Sequence, residues 1–336
     1  MSSTPWTELA DDALLEWRIC DLRLSLADSS LEPLITQLHQ EIATQGIVAR
    51  PPCYLGDEWF CEEGVPAISI PFYLAHSRLS RLEEKLMLNV EGGTREECLK
   101  LLRHEMGHAL MYAYRLNRTR RFRAIFGSSA EPYEENYHPR PYSKSYVIHL
   151  DNWYAQSHPD EDFAETFAVW LTPDQDWRAR YVGWKALEKL MALDQMMREI
   201  AGTAPRVTAT HFAHEASRLT RRLKTHYQRK RKTYAADFPD FYDNDLRRLF
   251  PAAAEGVARG SAAIFLRTHR RPILAAVNRW TKTRKYHIAT ILRQLMERCR
   301  TLDLRVARPE HELIMDVSIY LTALMMTYLH TGKFKR

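Results

Sequence analysis

The sequence predicts an α+β fold: a mainly helical first part carrying a small edge-strand sheet, then an all-helical C-terminal part. Three observations predict it. Apolar residues recur at three- and four-residue spacing through most of the 336 positions, the pattern of amphipathic helices. Strand-like chemistry is concentrated in Val65–Leu74, where β-branched and aromatic residues alternate with prolines that suit an edge strand. The charge also divides: residues 1–204 hold ten more acidic than basic residues, and residues 205–336 hold sixteen more basic than acidic ones. Such a split argues for two parts in different surroundings, with the small-residue run Ala201–Pro205 as the junction. The expected domains are therefore 1–204 and 205–336. The first divides into a helical segment 1–50 and a core 51–204.

The elements follow in order. Leu14, Leu22, Leu24, Leu31, Ile35 and Leu38 recur at roughly helical spacing in 1–50. Pro51, Pro52, Gly56, Gly64 and Pro66 then punctuate short segments around the strand candidate. A helix should open near Thr94, because Thr94 and Glu97 have the form of a capping box that satisfies free amides. Leu99, Leu102, Met106, Ala109, Leu110 and Ala113 give that helix, 94–116, an apolar stripe. Residues 117–157 look irregular, rich in Tyr, Pro, Asn and Arg. A second helix should start at Pro159, where a first turn tolerates proline, and stop before Pro173. Helices are expected over 261–277, 284–300 and 310–330, with stripes that read as core.

Composition narrows the functional classes. Five cysteines without a C-x-x-C pair exclude a disulfide scaffold and a four-cysteine zinc knuckle, and fit a reducing compartment. No uninterrupted apolar run reaches the roughly 18 residues of a membrane span, and the N-terminus lacks a basic start and apolar core. The expectation is a cytoplasmic protein without a membrane partner. The basic half, opening with Arg218, Arg221, Arg222, Lys224 and the run Arg229–Lys232, has two readings. It is a solvated face or one docked on acidic residues of the same chain, or it meets an anionic partner such as nucleic acid. The first is favoured, because the run carries no base-reading signature.

The chemistry lies in His104-Glu105-Met106-Gly107-His108. On a helix, two imidazoles four residues apart point the same way and can ligate one Zn²⁺. Glu105 beside them can take a proton from a metal-bound water. A third ligand is needed, and the second helix offers Glu161 and Glu165, again four apart on one face. One carboxylate can ligate the ion while the other accepts the remaining N–H of a ligating histidine. Phe163, Phe167 and Trp170 would pack against the first helix. His149 and His158 flank this segment as candidates for the cleft or for a helix cap, the cap being the commoner use of a lone histidine there. Tyr133, Tyr137, His138, Arg140, Tyr142 and Tyr146 crowd the loop between the helices, where they could grip substrate or only pack the loop. No nucleophile elbow, phosphate-binding glycine loop or dinucleotide fingerprint occurs. The run from His311 to Met315 begins like the zinc motif but lacks its second histidine.

The H-E-x-G-H helix followed by His158-Pro-Asp-Glu-Asp-Phe-Ala-Glu-Thr-Phe-Ala resembles a bacterial family of zinc-binding metallopeptidases over roughly residues 50–185. It is also similar to the wider gluzincin group, including the protease domain of anthrax lethal factor. The resemblance implies a zincin-like catalytic domain in 51–204. It implies Glu161 as the third zinc ligand, Glu165 as the outer partner of His104 or His108, and Tyr154 as a donor to the developing oxyanion. It further implies a zinc-dependent hydrolase acting on a peptide or protein substrate, with an amide outside proteins equally compatible with the site. The alternative function is a nucleic-acid- or protein-binding module built on the basic helices of 205–336, with zinc structural or absent. The family's cysteine-rich zinc ribbon has no counterpart in Cys53 and Cys61.

Overall fold

The computed structural model describes residues 5–133, 139–233, 242–250 and 260–331. It is mainly helical with one small sheet, as the sequence predicts. The chain forms two units, one of residues 1–86 and 90–227, the other of residues 87–89 and 228–336.

The first unit holds α1 (Asp11–Leu15), α2 (Glu32–Thr44), β1 (Cys53–Gly56), β2 (Ile68–Pro71), α3 (Ser77–Met87), α4 (Arg95–Ala113), α5 (Arg120–Ile125), α6 (Pro159–Leu171), α7 (Trp177–Arg180) and α8 (Ala186–Ile200); α9 (Leu223–Thr233) runs across the boundary. The leucines of 1–50 reach the core, yet only α2 is a long helix there; Leu14, Leu22 and Leu38 are buried from short turns as well as from α2. The two strands pair in parallel, with Cys53 opposite Ile68 and Gly56 opposite Pro71. The strand expected over 65–74 is confined to Ile68–Pro71, and the chain turns at Pro71 into a 3₁₀ turn, Phe72–Ala75.

Helix α4 starts as its sequence asks, the Thr94 hydroxyl accepting the Glu97 N–H at 3.2 Å. It is buried on nearly every side from Cys98 onward. Arg103 therefore needs a partner inside, and its guanidinium donates twice to Glu41 of α2, at 2.8 and 2.7 Å. Opposite lies α6, buried from Asp160 to Leu171. The two helices touch backbone to backbone at Gly107, where an added Cβ would stand 2.8 Å from Ala164 Cα and 3.2 Å from the Ala164 carbonyl. Phe163 and Phe167, as expected, are fully buried, and Phe163 packs on Phe122 and Phe126. Behind α6, the buried Asp162 carboxylate receives the Lys189 ammonium of α8 at 2.5 Å, and that cation lies over the Tyr146 ring.

The run Ala201–Pro205 is a turn within the first unit. The Arg206 and Val207 amides donate to the Ala113 carbonyl at the end of α4, at 2.8 and 3.0 Å. The Tyr54 hydroxyl donates to the Ala213 carbonyl, and the Leu223 amide to the Trp17 carbonyl. Residues 205–227 thus continue the first unit past the junction expected from charge. Part of the basic run is accounted for here: Arg221 pairs with Asp57, and Arg222 and Lys224 pair with Glu16.

The elements of the second unit's described residues are helices: α10 (Asp243–Leu249), α11 (Ala262–Thr268), α12 (Arg270–Thr281), α13 (Lys285–Thr301) and α14 (Glu310–Thr331). The single helix expected over 261–277 is two. Pro272 cannot follow a continuous helix, because its ring would meet the Thr268 carbonyl four residues back, so the chain breaks at His269. Helix α14 is long and apolar enough to cross a membrane by length and composition, although Thr and Tyr residues interrupt its apolar run. Leu313, Val317, Leu321 and Met325 on that helix belong to the unit's core.

Replacing Gly107 by Ala should separate α4 from α6, since the two Ala164 atoms it would meet are backbone and the third atom, Phe167 Cβ, is fixed to the backbone. The expected loss, about 1–3 kcal/mol, is read by urea unfolding; an unchanged midpoint would show that the helices can give way freely.

Candidate metal centre

Helix geometry places His104 and His108 one turn apart on the buried face of α4, and Glu161 opens the facing end of α6. The three side chains converge. Glu161 Oε2 stands 3.0 Å from His104 Nε2 and 3.2 Å from His108 Nε2, and the two Nε2 atoms are 3.2 Å apart. Ligands of a tetrahedral Zn²⁺ with bonds of about 2.0–2.1 Å lie roughly 3.3 Å from one another. Among the described residues, His104, His108 and Glu161 form a group whose ligand atoms are close enough to hold one metal ion.

The hydrogen bonding around them makes the same point. Glu165 Oε1 lies 2.9 Å from His104 Nδ1. A carboxylate only accepts, so Nδ1 carries the proton, and a neutral His104 turns the lone pair of Nε2 toward Glu161 and His108. Acceptors then face one another across about 3 Å, an arrangement that a cation or an added proton must reconcile. Burial disfavours a charged imidazole, yet Glu161 and Glu165 hold the His104 proton affinity well above its ordinary value. Burial likewise opposes ionisation of Glu161, and the charge of His108 with the His104 hydrogen bond holds its carboxyl well below the usual range. A divalent ion held there would replace those protons, because ligands bind metal in their deprotonated forms.

Glu105 is buried beside the histidines, and its Oε2 has no hydrogen-bond partner among the described residues. Burial raises its carboxyl above the ordinary value, against the pull of His104 and His108. A desolvated carboxylate with an unused oxygen suits the capture of a proton. Glu165 is shared: its second oxygen accepts the Leu150 amide at 2.8 Å, at the head of the 3₁₀ turn Asp151–Gln156. That turn carries Tyr154, whose ring lies 5.7 Å from the His104 ring. One carboxylate therefore ties the tyrosine's segment to the first histidine.

His158 caps α6, its Nδ1 accepting the Asp160 N–H at 3.1 Å. His149 is buried and bonds the Lys100 carbonyl through Nε2 at 2.9 Å. Of the crowded loop, Tyr137 and His138 lie outside the described residues. Arg140 is pinned by its backbone to the Gln156 side chain, and Tyr142 meets Trp153 edge-on. Tyr133, one of six loop residues that the sequence leaves between gripping substrate and packing the loop, donates its hydroxyl to Glu161 Oε1 at 3.0 Å. Asp160 went unnoticed; it is buried and receives Ser129 and, at 3.4 Å, the Tyr112 hydroxyl. Neither contact leaves a spacing pattern in the chain.

His149 gives a pH prediction. Burial pushes its imidazole down from 6.5 to about 4. A lowered folded value favours the native state above the unfolded value, and that advantage is lost as pH falls toward the folded one. Its share of acid destabilisation is about 2 kcal/mol between pH 7 and pH 5. His149→Gln keeps a donor for the Lys100 carbonyl and does not titrate, so unfolding titrations of the metal-free protein should show a flatter pH dependence. Equal slopes would remove this role from His149.

Comparison with known proteins bears on the same stretch. No curated protein and no solved structure matches the chain. Residues 97–201, which contain α4, α6 and every residue of the converging group, match the model of a family described as "Putative zinc-binding metallo-peptidase", which supports a protease-like hydrolase at a coarse level.

Proposed function

We propose that the protein is a zinc-dependent metallopeptidase of the gluzincin pattern, hydrolysing a peptide or amide bond with Glu105 as general base. The convergence of His104, His108 and Glu161 within one buried cluster is the observation that carries this reading. In it, His104, His108 and Glu161 would hold the ion, and Glu165 keeps the Nδ1–H of His104 in place. Bound Zn²⁺ supplies Lewis-acid polarisation of a carbonyl and lowers the pKa of its water.

Glu105 takes a proton from the attacking water as the oxygen adds to the scissile carbonyl carbon. It returns that proton to the amine nitrogen as the C–N bond breaks. Tyr154, held beside His104 by the turn that Glu165 anchors, donates its hydroxyl to the oxyanion; a donor of this kind is worth about 2.7–4 kcal/mol. Peptides or proteins are the substrates that the family match supports.

Metal analysis tests the centre: one zinc per chain is expected, lost in His104→Ala. A purified chain without zinc, with His104→Ala changing neither metal content nor stability, would refute the reading. Glu105→Gln should keep the metal and lower turnover by about 10²–10⁴-fold. The new peptide termini generated in cells by wild type but not by Glu105→Gln would identify the substrate; full activity in that variant removes Glu105 from its role.

A further inference from the structure

The stretch that follows α5 lies along the first residues of α6, one contact after another. Gly127, at φ +111°, runs so close that an added Cβ would stand 3.1 Å from Pro159 Cγ. Ser129 Oγ donates to Asp160. The Glu131 carbonyl accepts His158 Nε2 at 2.8 Å. The Tyr133 ring stacks on the His158 ring, with centroids 3.9 Å apart and planes 12° from parallel, and its hydroxyl reaches Glu161 Oε1 at 3.0 Å. Four consecutive residues, His158 to Glu161, are each held by this one short segment.

The two oxygens of Glu161 are thereby given different work. Oε2 faces both histidines, and Oε1 accepts the Tyr133 hydroxyl. A carboxylate with one oxygen so engaged presents the other alone. An unrestrained one can rotate, or offer both oxygens and occupy the coordination position a catalytic zinc leaves open.

We infer that residues 127–133 are a strap that orients the third metal ligand, with Tyr133 as the positioning residue that holds Glu161 to single-oxygen ligation. The inference rests on the proposed zinc centre. Tyr133 as a residue is 57% exposed, so it lies outside the buried core. A phenylalanine at this position keeps the stacking on His158 and removes only the bond to Glu161.

The test uses the full chain, stripped of metal and titrated with zinc against a chromogenic chelator, and separately loaded with cobalt(II). Tyr133→Phe should bind zinc about 10–100-fold more weakly, the usual effect of losing a bond to a ligating side chain. Its cobalt form should absorb less in the visible, as expected for a higher coordination number, and its metal-free melting temperature should be unchanged. Zinc affinity within twofold of wild type together with the same cobalt spectrum would overturn the inference while leaving the centre intact. If wild type itself takes up no zinc, the proposed centre and the strap's role fall together. Should Tyr133→Phe melt lower without metal, Ser129→Ala carries the test. That change loosens the strap from Asp160 with the tyrosine in place; weaker zinc binding there supports the strap, and unchanged binding overturns it.

Discussion

The close crossing of α4 and α6 is the constraint on which the rest of the molecule depends. At Gly107 there is no room for a side chain, because the backbone of Ala164 occupies the space. That contact brings His104 and His108, three residues before and one after the glycine, opposite Glu161 and Glu165, three before and one after the alanine. The near-symmetry of those offsets is why ligand atoms meet within about 3 Å rather than pass one another. A catalytic geometry built on two rigid helices needs less from loops than one assembled from loop residues alone.

Around that crossing, the polar groups are matched in layers. Glu165 is caught between the His104 imidazole and the Leu150 amide, so it cannot turn without releasing both. Asp162 on the next face of α6 meets the Lys189 ammonium, and Arg103 on the far side of α4 meets Glu41. Each of these two pairs joins opposite charges, as burial requires. Glu105 lies beside the histidines with one oxygen unpartnered among the described residues, as do Asp162 Oδ1 and Thr166 Oγ1 on α6. Sites of chemistry are where such costs are retained.

How much of this could be read from the chain depends on the range of the interaction. The Thr94 cap and the two helices follow from spacing within ten or twenty residues; the ligand needs of a divalent ion call for Glu161 or Glu165, and only the family resemblance singles out Glu161, 53 and 57 residues from the two histidines. The break at His269 was also local, written in Pro272, yet the apolar stripe of 261–277 obscured it. The reach of Tyr133 to Glu161 had no such trace, because it depends on the path of a strap without periodic pattern. Charge proved a poor guide to where the first unit ends. Arg221, Arg222 and Lys224 lie past the change of sign, yet they pair with Asp57 and Glu16 inside that unit.

The stretch from Arg206 to Tyr227 accordingly returns across the first unit: it closes the carboxyl end of the histidine-bearing helix at Ala113 and lends its backbone to Trp17 and Ile19 near the amino terminus. A fragment cut at residue 204 would strip that girdle from both ends at once, opening the last turn of α4 to water and loosening the N-terminal turns. The smallest piece able to keep the histidine helix intact therefore extends more than twenty residues beyond the point where composition changes.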